Sequence, residues 1–130
     1  MALGVECAFG RIAMLRNSTG EAMTRYQRAY ALNPNDVEAQ LGLAKILVGQ
    51  DKPQEAVKFL RSAVQADPFN AAAHYRLARV CHVLQLNEEE KKEIKMYQEI
   101  RRAKDRVAQL YRQMNRRPES QDGLPGDEQP

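Results

Sequence analysis

The sequence has no tryptophan and few aromatic residues, three phenylalanines and five tyrosines among 130 residues. Scarce aromatic residues and abundant Ala and Leu argue against a β-sheet protein and favour closely packed helices. Two cysteines, Cys7 and Cys81, are too few and too far apart in the sequence for a disulfide framework, so we expect reduced, interior thiols. No apolar run reaches the roughly 18 residues of a membrane span, and the length suits one domain.

Catalytic and metal-binding motifs are also missing. His74 and His82 lie eight residues apart, whereas two ligands on adjacent helical turns need a spacing of about three or four. The sequence contains no glycine-rich phosphate loop and no paired carboxylate motif. Cys81 is followed directly by His82, which lies on a different face of a helix and cannot serve it as a base. We therefore predict no catalytic residue, no metal site and no cofactor, and a protein that is not an enzyme.

The first 15 residues, MALGVECAFGRIAML, have some features of a signal peptide. Glu6 and Arg11 interrupt the apolar stretch and no basic residue precedes it, so we expect a cytoplasmic protein instead. Residue 1 falls at the start of a helix that belongs to a repeat. The chain is either a short complete module or the end of a longer array, and the sequence leaves both open.

An internal repeat of 34 residues organises the chain. The segment ALNPNDVEA at residues 31–39 is matched by QADPFNAAA at residues 65–73, and each has a proline followed by a helix-capping Asp or Asn. Small side chains also recur at this period, which matters because they allow two helices to approach closely. The positions that match at this period are Pro34 and Pro68, Asp36 and Asn70, Ala22 and Ala56, Ala29 and Ala63, and the trio Glu21, Glu55 and Glu89.

This pattern resembles the tetratricopeptide repeat family, whose 34-residue unit is a helix–turn–helix with small and large apolar residues in fixed positions. The unit at residues 37–70 fits the pattern well, and the unit at 3–36 fits in part. A third unit starts at residue 71 and loses the pattern after residue 87, where Glu90 replaces the small Ala and Arg102 replaces Pro. The family positions of the second unit are filled by Leu43, Ala44, Leu47, Ala56, Leu60, Ala63 and Pro68.

The resemblance implies an all-α fold, a right-handed α-solenoid of antiparallel helix pairs with about 2.5 units over residues 3–87. Helices are expected at about 4–16, 20–32, 37–49, 54–66 and 71–84. Residues 88–117 are predicted to form a long amphipathic C-terminal helix that caps the repeats. Residues 91–117 carry ten basic and three acidic residues, a net charge of +7. Residues 118–130, with four acids and no base, are predicted to be a disordered acidic tail.

The family resemblance implies a function in protein–protein interaction, as an adaptor or assembly scaffold. Its members bind an extended peptide or a partner helix in a concave groove lined by the first helix of each unit. Arg11, Lys45 and Arg79 share one repeat position, which suits an acidic partner. Some members hold a C-terminal carboxylate with a clamp of Lys, Asn and Arg, but Gly42 stands here in place of the Asn. The expected partner-binding residues are Arg11, Leu41, Lys45, Tyr75, Arg76 and Arg79.

Two alternatives remain open at the level of sequence. The basic residues of the groove can equally be solvated surface residues. The basic C-terminal helix could bind an anionic polymer or a membrane surface, or its apolar stripe could pack against a second copy of the chain. Nucleic acid is the less favoured polymer, because only Tyr97 and Tyr111 are available to stack on bases.

Overall fold

The computed structural model describes the backbone of residues 2–122 and the side chains of residues 2–116. This part of the chain contains six α-helices and no strand, which confirms the predicted all-α fold. The first five helices begin and end within two residues of their predicted bounds. The helices are α1 Ala2–Leu15, α2 Thr19–Leu32, α3 Val37–Gly49, α4 Pro53–Ala66, α5 Ala71–Val83 and α6 Asn87–Asp122.

The three helical hairpins are closed by the same turn. In each turn one residue has a left-handed backbone, with φ of 60°, 62° and 60° at Asn17, Asp51 and Gln85, which lie 34 residues apart. The next residue donates its N–H to a carbonyl five residues earlier, which satisfies an orphan carbonyl at the helix end. The third hairpin therefore keeps the repeat geometry although its sequence departs from the pattern. These hydrogen bonds join Ser18 to Ala13 at 2.8 Å, Lys52 to Leu47 at 2.9 Å and Leu86 to Cys81 at 2.8 Å.

The turns between repeats depend on the two residues predicted to cap helices. The side chain of Asp36 accepts a hydrogen bond from the Ala39 N–H at 2.9 Å, and Asn70 accepts one from the Ala73 N–H at 3.1 Å. Each bond satisfies one of the free N–H groups at a helix start. The capping box expected at Ser18 does not form, because the Ser18 side chain makes no capping hydrogen bond.

Helix α6 is attached to the repeats by charged side chains. Arg61 of α4 donates two hydrogen bonds to Glu89, from Nε at 2.9 Å and from Nη2 at 2.7 Å. This bidentate contact lowers the pKa of Glu89, since the hydrogen bonds from Arg61 favour the carboxylate. His74 of α5 contacts Glu93 of α6, and both side chains are buried. The first turns of α6 thus take the place of the second helix of the third unit.

The chain divides into two compact units, residues 1–97 and residues 98–130. Within the second unit, helix α6 continues to Asp122. The predicted boundary at residue 117 is therefore wrong for residues 118–122, which are helical and not part of a disordered tail. Pro118 removes one backbone hydrogen bond, which weakens a helix without always ending it. The rest of the predicted tail, residues 123–130, lies outside the described residues.

Candidate functional site

A narrow cleft between α3 and α5 brings together three of the predicted basic residues. Lys45 of α3 and Arg76 and Arg79 of α5 line a space of about 80 Å³. The remaining lining is apolar and includes Val48 and Val80. The three charged residues that line this cleft are all basic, so it presents a concentrated positive charge against an apolar floor. An anion placed here would receive charge-assisted hydrogen bonds from more than one side chain.

A larger cavity of about 510 Å³ adjoins the cleft and shares Val48, Arg79 and Val80 with it. Its walls come from α3, α5, the first turns of α6 and the turn before α4. Tyr75 is 44% exposed and stands in the wall, with its ring centroid 5.2 Å from that of Tyr97. A cavity of this volume with a mostly apolar lining is typical of sites that enclose one or two large side chains or a small ligand. The other lining residues are Asp51, Pro53, Ala78, His82, Val83, Glu90 and Ile94.

Arg79 connects the two spaces. Its Nη1 donates a hydrogen bond to the Tyr75 hydroxyl at 3.1 Å, and its guanidinium carbon lies 5.8 Å from the centre of the Tyr75 ring. On the far side of the larger cavity, His82 Nδ1 lies 3.2 Å from a carboxylate oxygen of Glu90. The basic charge is thus concentrated at the cleft, whereas the larger cavity also contains the acids Asp51 and Glu90.

Two of the predicted binding residues are placed differently. Arg11 of α1 forms an ion pair with Glu38 of α3 and does not line the cleft. Leu41 is partly buried and packs against the apolar core. The predicted row of three bases at one repeat position is therefore divided in the structure. Lys45 and Arg79 act on the same space, and the charge of Arg11 is already balanced by a neighbour.

The close approach of α1, α2 and α3 excludes the carboxylate clamp of the family at residue 42. The ring of Tyr26, which is 4% exposed, lies directly against Gly10 and Gly42. A Cβ atom at residue 42 would lie 2.6 Å from that ring, and one at residue 10 would lie 2.8 Å from it. An asparagine at residue 42 would collide with Tyr26, so an acidic ligand must be held by other groups.

Buried polar side chains replace the tryptophan of the family at the start of α3 and α5. Gln40 is fully buried, and its Nε2 donates to the Pro34 carbonyl at 2.6 Å and to the Ser62 hydroxyl at 2.8 Å. His74 occupies the same position one repeat later, with Nε2 2.7 Å from the Pro68 carbonyl and Nδ1 2.5 Å from Glu93 Oε1. Both residues join the proline turn behind them to the helix pair. They are structural, since they are 0% and 5% exposed.

The two cysteines are interior thiols, as predicted. Cys7 is 2% exposed and Cys81 is fully buried, and neither forms a disulfide. Burial raises the pKa of each thiol to about 11, with Asp36 adding to the effect at Cys7 and Glu89 at Cys81. A thiol with so high a pKa is a weak nucleophile near neutral pH. Among residues 2–122, no group of three or more His, Cys, Asp or Glu could hold a metal ion, and no helix is long and apolar enough to cross a membrane.

Several residues of the site are absent from the set expected from the sequence. Val48, His82 and Glu90 line the larger cavity, and Tyr97 packs on Tyr75. Val48 and His82 lie 34 residues apart, so the repeat period alone could have identified this pair as one groove position. Glu90 and Tyr97 follow the point where the repeat pattern is lost, and no sequence signal marks them.

Paired helices with a 34-residue period, identical hairpin turns and a groove between their first helices define a helical repeat protein. The sequence profile of the tetratricopeptide repeat matches residues 7–71, and a second profile of the same repeat matches residues 47–114. Each match covers half of the chain or more. The chain belongs to the tetratricopeptide repeat family.

Relatives and solved structures agree with this assignment. The chain is 35% identical over 69 residues to the TPR repeat-containing thioredoxin TTL4 of Arabidopsis thaliana, a match that covers 53% of this chain and 10% of that protein. The chain thus spans about a tenth of the length of this curated relative. Its fold is similar to MamA, with a TM-score of 0.73 at 18% identity over 80% of this chain and 61% of that one. It is also similar to the first TPR of Spaghetti (RPAP3) bound to the HSP90 peptide SRMEEVD, with a TM-score of 0.72 at 18% identity over 87% and 93% of the two chains.

Proposed function

We propose that the protein is a non-catalytic interaction module that binds an acidic segment of a partner protein in the groove between α3 and α5. The segment places a carboxylate in the cleft and a large apolar side chain in the adjoining cavity. The observation that carries the proposal is the convergence of Lys45, Arg76 and Arg79 on one apolar cleft.

Charge favours an acidic ligand at this point of the groove. Three basic side chains line the cleft, and a carboxylate between them would form charge-assisted hydrogen bonds, each stronger than a neutral one. Arg79 is held in place by Tyr75, and a guanidinium that is already positioned loses less side-chain freedom on binding. The residues of the cleft therefore provide both the charge and the preorganisation that recognition of a carboxylate needs.

The apolar cavity favours a large side chain next to the acid. Val48, Val83 and Ile94 are exposed apolar residues of its lining, at 47%, 65% and 39% exposure. Binding would remove this surface from water, which stabilises a complex by about 25 cal/mol per Å² of apolar area. Asp51 and Glu90 in the same lining disfavour a second carboxylate there. A ligand in which an apolar residue neighbours an acidic one fits both spaces.

The fold neighbours support an interaction function. The first TPR of Spaghetti was solved with an HSP90 peptide that ends in Glu-Glu-Val-Asp bound to it, and another neighbour is a complex of CopN with Scc3. Those proteins share the fold with this chain at 17–18% identity. Because Tyr26 occupies the space of the clamp asparagine, we expect this chain to hold its ligand with Lys45, Arg76 and Arg79 instead.

Fluorescence anisotropy tests the proposal with two labelled heptapeptides. One contains a single Leu flanked by Glu, and the other has Lys in place of each Glu. We expect the Glu peptide to bind the full chain more tightly, and the double variant Lys45→Glu/Arg79→Glu to weaken its binding by on the order of a hundredfold, since it reverses two of the three charges.

The matched control is Arg28→Glu/Lys58→Glu, which makes the same charge change at exposed positions on the second helices of their units. It should retain the binding of the Glu peptide within about threefold. Equal weakening by both double variants would indicate a non-specific charge effect and would contradict the proposed groove. Equal affinity for the Glu and Lys peptides would contradict the proposed acidic partner.

A further inference from the structure

A second apolar surface lies on α6, within the unit formed by residues 98–130. Val107, Leu110, Tyr111 and Met114 recur at the spacing that places side chains on one face of a helix. All four are exposed, at 65%, 53%, 65% and 64%. A solvated helix has no need of four neighbouring large apolar side chains, so the face is suited to contact another molecule.

The shape of this face is that of a helix-packing surface. Lys104, Val107, Ala108 and Tyr111 surround a shallow depression together with Ala103. The first four occupy positions i, i+3, i+4 and i+7, the four positions that form a hole for one side chain of a facing helix in a coiled coil. The small side chains of Ala103 and Ala108 leave the depression open between the larger residues. The surface therefore fits a helix more closely than it fits an extended strand.

The charge of this unit selects the partner. The described side chains of residues 98–116 include six basic residues and two acids, a net charge of +4. Lys104 borders the depression, and Arg106 lies on the other flank of the apolar face. Acidic residues beside the apolar positions of a facing helix would pair with these bases, as residues beside the seam do in coiled coils. An acidic amphipathic helix complements the surface in both respects.

A second copy of the chain is a poorer occupant than an acidic helix. It would bring two segments of net charge +4 together. Of its two acids in residues 98–116, Asp105 lies on the side of the helix opposite Val107. A membrane surface is also less suited, because the exposed stripe from Val107 to Met114 is only about 10 Å long at 1.5 Å per residue.

From these observations we propose that the Val107–Met114 face of α6 is a second docking surface, and that its partner is an acidic amphipathic helix of another protein. This surface shares no residue with the groove between α3 and α5, and it does not depend on the function proposed for that groove.

Two designed helical peptides of about 20 residues serve as probes. Both have Leu and Ile at the apolar heptad positions, and the flanking positions are Glu in one peptide and Lys in the other. We expect the full chain to bind the Glu peptide at least about tenfold more tightly than the Lys peptide, with a smaller difference at about 0.5 M salt. The variant Val107→Asp/Leu110→Asp should weaken binding of the Glu peptide at least about tenfold, since it places charge in the apolar contact.

Two controls make the result specific. The variant Gln98→Asp/Gln109→Asp makes the same charge change on the opposite face of the helix, and we expect a loss of less than about threefold. The groove variant Lys45→Glu/Arg79→Glu should bind the peptide as the unmodified chain does. Circular dichroism confirms that each variant remains helical.

Three results would overturn the inference. The first is loss of binding in the groove variant together with full binding in Val107→Asp/Leu110→Asp, which would assign the peptide to the groove. The second is a dimer of the chain alone in sedimentation that dissociates in Val107→Asp/Leu110→Asp, which would make a second copy the occupant. The third is binding to vesicles of anionic phospholipid with no preference between the two peptides.

Discussion

The buried pair of His74 and Glu93 allows the attachment of α6 to be tested with single substitutions. His74 Nε2 lies 2.7 Å from the Pro68 carbonyl, which only accepts hydrogen bonds, so the ring carries a hydrogen at Nε2. Nδ1 then shares one proton with Glu93 across 2.5 Å. The side chains of the pair are 6% and 5% exposed, so water cannot replace either partner.

Replacement of His74 by Leu leaves the Glu93 carboxyl buried without a partner and removes the donor to Pro68. Loss of one member of a buried pair destabilises a protein by about 3–5 kcal/mol. Glu93→Leu should cost less, about 1–3 kcal/mol, because it leaves one neutral ring nitrogen unsatisfied. The double variant His74→Gln/Glu93→Leu should cost only about 1–2 kcal/mol. It has no buried acid, and the glutamine can donate to Pro68 as Gln40 donates to Pro34 at 2.6 Å.

Urea unfolding followed by far-ultraviolet circular dichroism measures these free energies. We expect the double variant to be more stable than His74→Leu although it carries two substitutions. A cost below about 1 kcal/mol for His74→Leu would show that the side chain is solvated and would refute the buried pair. Additive effects of the His74→Gln and Glu93→Leu substitutions would refute the shared proton.

Three further predictions concern stability. Gly42→Ala should destabilise the protein by about 1–3 kcal/mol in urea unfolding, because its methyl group meets the Tyr26 ring, whereas Gly20→Ala should stabilise it by about 0.5–1 kcal/mol, since no atom lies within 4 Å of the new methyl group; equal effects would contradict the close packing. Gln85→Gly should raise the melting temperature and stabilise by about 1 kcal/mol, because glycine adopts a φ of 60° without strain, and an unchanged or lower value would argue against that turn. Stability should fall between pH 9 and about 11, because folding raises the pKa of both cysteine thiols from 9.0 to about 11 and the unfolded chain loses these protons first; a double Cys→Ala variant should show a shallower fall, and an identical pH profile would contradict the buried thiols.

The fold could be predicted from the sequence wherever a local rule determines the structure. Pro34 and Pro68 mark the ends of helices because proline cannot continue them, and Asp36 and Asn70 form the expected caps. The turns at Asn17, Asp51 and Gln85 were not predicted from the sequence. None of them is a glycine, the residue that usually marks a left-handed turn.

The candidate site could be predicted only in part, because its geometry depends on contacts between repeats. Lys45 and Arg79 share a repeat position, and the structure places both on one cleft. Arg11 shares that position too, but Glu38 pairs with it, and the sequence alone does not show which acid faces which base. The pairing of His74 with Glu93 was missed for the same reason, since Glu93 lies on a helix that departs from the repeat pattern.

The most direct test of the proposed groove is an amide chemical-shift map of the full chain titrated with the Leu–Glu heptapeptide. We expect the largest changes at the amides of residues that line the cleft and the larger cavity, including Lys45, Val48 and Arg79, and little change between residues 101 and 116. Changes confined to α6, or no saturable change at all, would contradict the account of the groove as the site that binds an acidic partner.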